Sequence, residues 1–293
     1  MDYKKYRKEM KEVLSITKDE KVYDYILENL KSSLSSIGFS KDFVSYLSNN
    51  FFNLDFEEFY DKFNHELTEV YNVKFFQKIV PEYFKKEVIP SIPVSDKILD
   101  IGCGTGILIH TIASDPRFNK LTGIDLHEYP EWKEFKNPKV QFLIVEKKDF
   151  ENFLKKLQPD NIVVTWTLHH MDYKEQERYL KKIFKSMKNG SRLILLEDSY
   201  SEKLPPKKGK KIYDSFIKFD ENGKRKVMSV YDWVANKILA KRENIPMPFG
   251  YRTLEEWERL CTEIGYKIIN KSFIGFPEKR DINTPQSFLV AEK

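Results

Sequence analysis

From Lys97 onward, short apolar runs alternate with helical patterns, and this alternation narrows the fold more than any other feature of the chain. KILDI (97–101), KLTGID (120–125), VQFLIV (140–145), NIVVTW (161–166) and SRLILLE (191–197) are rich in Val, Ile and Leu. Near-continuous apolar runs of this length read as strands buried on both faces, as in a parallel sheet covered by helices. The segments between them carry helix signals. Asp172-x-x-Glu175 reads as a capping box ahead of Leu180, Ile183, Phe184 and Met187, with Asn189-Gly190 as the stop. Thr253-x-x-Glu256 opens another helix through Trp257, Leu260 and Ile264, closed by Gly265, and YKIINKSF (266–273) and SFLVAEK (287–293) add two strands.

Upstream of Pro81, Pro90 and Pro93 the pattern is helical. Val22, Ile26, Leu30, Leu34 and Ile37 recur at three or four positions, and Gly38 stands where a helix C-terminus closes. Ser40 is placed to cap a short helix carrying Phe43, Val44 and Leu47. A longer pattern runs from Asp55 through Phe59, Phe63, Leu67, Val70 and Phe75 towards Val80. The expected organisation is a helical region over 1–94, then a sheet domain over 95–293 interrupted by an insertion at 201–252.

The first strand runs into LDIGCGTG, Leu99 to Gly106, and then into the apolar helix ILIHTIA. Gly102, Gly104 and Gly106 let the backbone turn sharply and approach a ligand at the carboxyl end of the strand, where open α/β sheets bind theirs. Two features separate this turn from a dinucleotide fingerprint. The third glycine of that fingerprint would fall at position 107, which is Ile, and the turn is preceded by Asp100. A carboxylate suits a ligand with an ammonium and a sulfonium better than a pyrophosphate. The second strand ends in Asp125, 19 residues after Gly106, where an acid can accept both hydroxyls of a ribose.

With these motifs the chain resembles a class I S-adenosylmethionine-dependent methyltransferase of the small-molecule branch, strongly over 97–200 and by architecture over 251–293. DIGCGTG resembles that family's glycine motif, GIDL its ribose-binding acid, VQFLIVEKKDF its third strand, TLHHMD its fourth-strand end and GSRLILLED its fifth strand. The resemblance implies a Rossmann-like seven-stranded, mostly parallel sheet with an antiparallel last strand. It also implies S-adenosyl-L-methionine as cofactor, held by Asp100, Gly102, Cys103, Gly104, Gly106, Asp125, Leu126, Glu146, Lys147 and Thr165. The family usually has Asp where Glu146 stands, and Asp149 is a competing acid.

Absent motifs constrain the acceptor. There is no Asp/Asn-Pro-Pro-Tyr after the fourth strand, neither cysteine follows a proline, no Asp ends the fourth strand where metal-dependent catechol-type enzymes carry one, and the double-glutamate loop is missing. These absences favour a small-molecule acceptor over a macromolecule. Specificity then falls to two aromatic-rich additions. One is the cluster Phe51, Phe52, Phe56, Phe59, Tyr60 and Phe63; the other is the insertion with Tyr213, Phe216, Tyr231, Trp233 and IPMPFGYR. Both are also read as ordinary core, and PPKKGKK (205–211) as a solvated loop.

For the chemistry, His169 and His170 are candidate bases or acceptor contacts, with Asp198 and Tyr200 as weaker candidates at the same edge. Adjacent histidines on an extended segment point to opposite sides, so no metal is expected there. A methyltransferase for tRNA or protein, and a non-catalytic cofactor-binding module, stand as alternatives. The balance of 50 basic and 45 acidic residues gives no strong nucleic-acid stripe. No apolar run approaches the roughly 20 residues that span a bilayer, the opening MDYKKYRKEMKEV lacks a following apolar segment, and two cysteines suit a reducing cytoplasm. The sequence leaves the oligomeric state open.

Overall fold

The computed structural model describes Lys8 and residues 20–293, except for the side chain of Phe52. Apart from Lys8, the charged opening segment lies outside the described residues. The chain divides into two compact units. One comprises residues 1–79, 205–249 and 274–285; the other comprises 80–204, 250–273 and 286–293.

The first unit is helical. α1 (Lys21–Ile37) is closed by Gly38 at φ 108°, and the Ser40 side chain caps α2 (Lys41–Asn49) by accepting from the Phe43 N–H. The Asp55 carboxylate caps α3 (Phe56–Glu66), and the chain then continues in wide π turns over Leu67–Ile79. There Tyr71 is buried where the apolar spacing suggested Val70, which is only half-buried. A larger aromatic body suits the interior better than Val, provided its hydroxyl finds a partner. It finds one, donating to Asp281 Oδ2 at 2.8 Å. After α9 (Lys210–Phe216), α10 (Glu221–Trp233) packs on α1, and its Tyr231 hydroxyl donates to the Ile26 carbonyl. Phe51, Phe56, Phe59, Tyr60, Phe63, Phe216, Tyr231 and Trp233 are all buried, so these aromatics form the unit's core.

The second unit is built on the expected sheet. β1 (Ser95–Ile101), β2 (Phe118–Asp125), β3 (Val140–Ile144), β4 (Asn161–Thr165), β5 (Arg192–Asp198), β6 (Lys267–Gly275) and β7 (Gln286–Glu292) lie in the order β3-β2-β1-β4-β5-β7-β6. The first five are parallel, and β7 runs antiparallel to β5, with Asp198 opposite Gln286. Within this unit, α4 (Val80–Glu87) packs on α5 (Ile107–Ile112), α7 (Phe150–Leu157) on α8 (Tyr173–Ser186), and α11 (Leu254–Ile264) on α8 and β7. α6 (Pro130–Glu134) is a single short turn. Thr253 and Glu256 form the full reciprocal capping box. Asp172 makes only half of one, because Glu175 turns away to pair with Lys147.

The strand order reverses at β1, whose neighbours are β2 on one side and β4 on the other. In an open sheet the crevice beyond the carboxyl ends at such a switch point is the place for a ligand. Asp100, Asp125, Thr165 and Asp198 all fall at that edge.

Candidate active site

The turn after β1 is shaped by backbone and packing together. Gly102, Gly104 and Gly106 have φ of 70°, 52° and 84°, the left-handed region that side chains disfavour. The Gly102 and Cys103 amides both donate to the Ile124 carbonyl, at 2.8 and 3.0 Å. A Cβ on Gly102 would lie 2.3 Å from the Thr167 side chain, and one on Gly106 would lie 2.5 Å from the Phe142 ring. A side chain at Gly102 or Gly106 would collide unless Thr167 or Phe142 moved.

Asp100 is 1% exposed, and one of its carboxylate oxygens has no hydrogen-bond partner. Burial pushes its pKa well above the usual carboxylate range, and the nearby Asp125 adds to that. A buried acid lacking a partner is costly unless a cation or donor completes it. The charge of an ammonium-bearing, sulfonium cofactor is the complement this position lacks.

Asp125 is held by three amides: Gly104 N–H to Oδ2 at 3.0 Å, and Leu126 and His127 N–H to Oδ1 at 2.7 and 3.3 Å. A carboxylate offers about four acceptor sites. One therefore remains for a ribose hydroxyl, and a second hydroxyl would have to displace the long His127 bond. The turn, the orphaned oxygen of Asp100 and the oriented Asp125 together fit S-adenosylmethionine.

The other expected cofactor contacts are distributed unevenly. Thr165 is the buried last residue of β4, Cys103 is buried, and Leu126 is 39% exposed beside Asp125. Glu146 is exposed and paired with Lys148 at 2.8 Å, while Lys147 pairs with Glu175. Asp149 stands at the N-cap of α7 without a capping side-chain bond.

At the ends of β4 and β5 the structure brings together a group that sequence reading only half identified. Leu168–His170 form one 3-10 turn rather than an extended segment. The two imidazoles therefore lie side by side, with ring centroids 4.2 Å apart, and the expectation that they point to opposite sides is corrected. Glu197, on β5, anchors this turn. Its carboxylate accepts from Thr167 N–H at 3.1 Å, from Leu168 N–H at 2.8 Å and from His169 Nδ1 at 2.7 Å. His169 and Glu197 are 2% and 1% exposed. Glu197 was missed although an acid inside LILLED is itself a signal, since buried acids need dedicated partners.

The turn is braced from the far side as well. Gly250 N–H donates to the His169 carbonyl at 3.0 Å, Tyr251 stacks on the His169 ring at 5.6 Å, and Gln176 Nε2 donates to the carbonyls of Leu168, Met171 and Gly250. Asp198 faces the other way and accepts from Gln286 Nε2 at 3.3 Å, while Tyr83 donates to Gln286 Oε1 at 2.5 Å. Tyr200 is buried, and its carbonyl accepts from Leu254 N–H. Between these groups Trp166 sits at φ 49°, an unfavourable conformation held by stacking on Tyr83 and Phe84.

A glycine turn after the first strand, an oriented acid after the second and a 3-2-1-4-5-7-6 sheet define a class I S-adenosylmethionine-dependent methyltransferase. Residues 99–193 match the family model described as a methyltransferase domain, and the chain is an enzyme of that class. Similar solved structures include a SAM-dependent methyltransferase from Archaeoglobus fulgidus, 14% identical, covering 74% of this chain and 94% of that one with a TM-score of 0.48. Another is the 1,6-didemethyltoxoflavin-N1-methyltransferase of Burkholderia thailandensis, 13% identical, covering 86% and 89% with a TM-score of 0.46. A third is the magnesium protoporphyrin IX methyltransferase of Synechocystis PCC 6803, 15% identical, covering 74% and 83% with a TM-score of 0.43. No curated protein matches the chain. No helix of the described residues is long and apolar enough to cross a membrane.

Proposed function

We propose that this methyltransferase acts on a hydroxyl group of a small-molecule acceptor of apolar or aromatic character, with His169 as the base. The observation that carries this reading is the buried contact of His169 Nδ1 with Glu197 Oε2 at 2.7 Å. A carboxylate can only accept, so this contact assigns a proton to Nδ1 and, in the neutral imidazole, puts the basic lone pair on Nε2. A base of this kind matters most for an acceptor atom that must lose a proton, as a hydroxyl does.

When bound, the cofactor supplies an electrophilic methyl group. The chain's own residues do the rest. Asp100, Asp125 and the glycine turn bind and orient, which is the larger part of catalysis by alignment. His169 Nε2 takes the hydroxyl proton as the acceptor oxygen attacks, a contribution worth about 10²–10⁴-fold. Glu197 keeps the imidazole in the required tautomer and stabilises its protonated form. At 2% exposure, His169 is shielded from bulk water that would compete for the proton. Cys103 and Cys261 are buried, and burial pushes both thiols up, so neither serves as a nucleophile. Two free, inert thiols agree with a cytoplasmic protein.

The test is a mass-spectrometric screen of hydroxylated metabolites with purified protein and cofactor, run beside His169→Asn. The substituted enzyme is expected to bind S-adenosylhomocysteine normally and to lose turnover at least a hundredfold. Wild-type turnover in His169→Asn would remove the base, and methylated RNA or protein in place of small molecules would replace the acceptor class.

A further inference from the structure

The β2–β3 side of the cofactor turn carries a stacked aromatic pair. Trp132, on α6, donates its indole N–H to the Gly104 carbonyl at 2.8 Å. Its ring stacks on Phe142 of β3, with centroids 5.1 Å apart and planes 11° from parallel. Phe142 in turn fills the space over Gly106 and Gly123. The indole is thus fixed in its plane and aimed at one atom of the turn.

Gly104 is gripped from both ends. Its N–H goes to Asp125, and its carbonyl receives Trp132. The following peptide, Gly104–Thr105, is trans, so the Thr105 N–H points opposite to that carbonyl and away from Trp132. The Thr105 N–H has no acceptor among the described residues, and Thr105 is half-buried. A glycine at φ 52° can rotate its peptide through conformations closed to other residues. Something must hold this one, and the indole does.

We propose that Trp132 is a positioning residue for the cofactor. By holding the Gly104 carbonyl outward, it aims the Thr105 amide at an acceptor oxygen of S-adenosylmethionine, and through Gly104 it keeps the Asp125 carboxylate in register. This rests on the methyltransferase reading of the turn. It assigns the short α6 turn a task beyond packing, one that the stack on Phe142 alone does not perform.

Calorimetry of S-adenosylhomocysteine binding to the full chain separates the two roles. Trp132→Phe keeps a ring on Phe142 and removes only the donor. It is expected to weaken binding about five- to tenfold, the scale of one net hydrogen bond and the ordering it supports, with the unfolding midpoint of the cofactor-free protein nearly unchanged. Phe142→Leu keeps the donor and removes the stack, and is expected to lower that midpoint more than Trp132→Phe does while weakening binding less. Equal affinity for wild type and Trp132→Phe would overturn the proposal. So would affinity losses that merely track stability across the two variants. If the wild-type protein bound no S-adenosylhomocysteine, the methyltransferase reading would fall first and this proposal with it.

Discussion

Replacing Glu197 by Gln tests the proposed base without touching the histidine. The carboxylate serves three donors: the amides of Thr167 and Leu168 and the imidazole of His169, at 3.1, 2.8 and 2.7 Å. A Gln side chain keeps an oxygen for the two amides but turns an NH₂ group towards Nδ1. Two donors cannot share that contact. The imidazole relieves the conflict by moving its proton to Nε2, which leaves Nδ1 to accept and removes the lone pair that would take the acceptor's proton. The expected cost is the value of a general base, about 10²–10⁴ in kcat, or roughly 3–5 kcal/mol of barrier at 1.36 kcal/mol per decade. Stability changes little, since both amide bonds survive. Glu197→Ala behaves differently. It strands three buried donors at about 1–3 kcal/mol each and lowers stability by at least about 3 kcal/mol. The assay is turnover at saturating cofactor and acceptor, with S-adenosylhomocysteine affinity and the unfolding midpoint measured alongside. A Glu197→Gln enzyme within threefold of wild-type kcat refutes the tautomer argument, because the substituted side chain has no means of holding the proton on Nδ1.

Three further expectations follow from the same edge of the sheet. Asp125→Ala removes the acceptor of three amides and the remaining ribose site; cofactor affinity should fall by one order of magnitude or more, and unchanged affinity by calorimetry would exclude the ribose role. Asp100 has its pKa raised by burial first and by Asp125 second, so its contribution to stability is full below the unfolded carboxylate value and is lost as pH rises through the folded one. Asp100→Asn should therefore raise the cofactor-free unfolding midpoint at neutral pH by a few degrees, with about 2–4 °C corresponding to each kcal/mol in a domain this size, while weakening cofactor binding. A lower midpoint at neutral pH contradicts this. Gly250→Ala would put a Cβ 2.1 Å from the Met171 carbonyl and 2.6 Å from Gln176 Nε2; the backbone must shift, costing about 1–3 kcal/mol, and turnover should fall with it because Gly250 braces the His169 carbonyl.

The sheet was legible because parallel strands buried on both faces carry near-continuous apolar runs, as Ile98-Leu99, Ile162–Val164 and Leu193–Leu196 do. The glycine turn was legible because glycine takes positive φ values without strain and leaves room for the Thr167 and Phe142 side chains. The edge formed by the ends of β4 and β5 was less so, and the reason is geometric. In an extended strand, consecutive side chains face opposite sides. Glu197 and Asp198 are chemically alike and adjacent, yet one reaches the His169 turn and the other meets Gln286. Which acid faces which way is set by the register of β5 against β4, where Leu196 pairs with Thr165, and no local pattern encodes that. The histidines raised the converse problem. The opposite-sides rule failed because Trp166 adopts φ 49° and the chain leaves β4 one residue early, winding LHH into a 3-10 turn. That departure has a chemical consequence. An extended LHH segment would have placed the two rings on opposite faces, whereas the turn sets them side by side and presents the amides of Thr167 and Leu168 to the carboxylate that orients His169. The strained Trp166, which no propensity scale anticipates, is thus the structural condition for a histidine–glutamate pair at the end of this sheet.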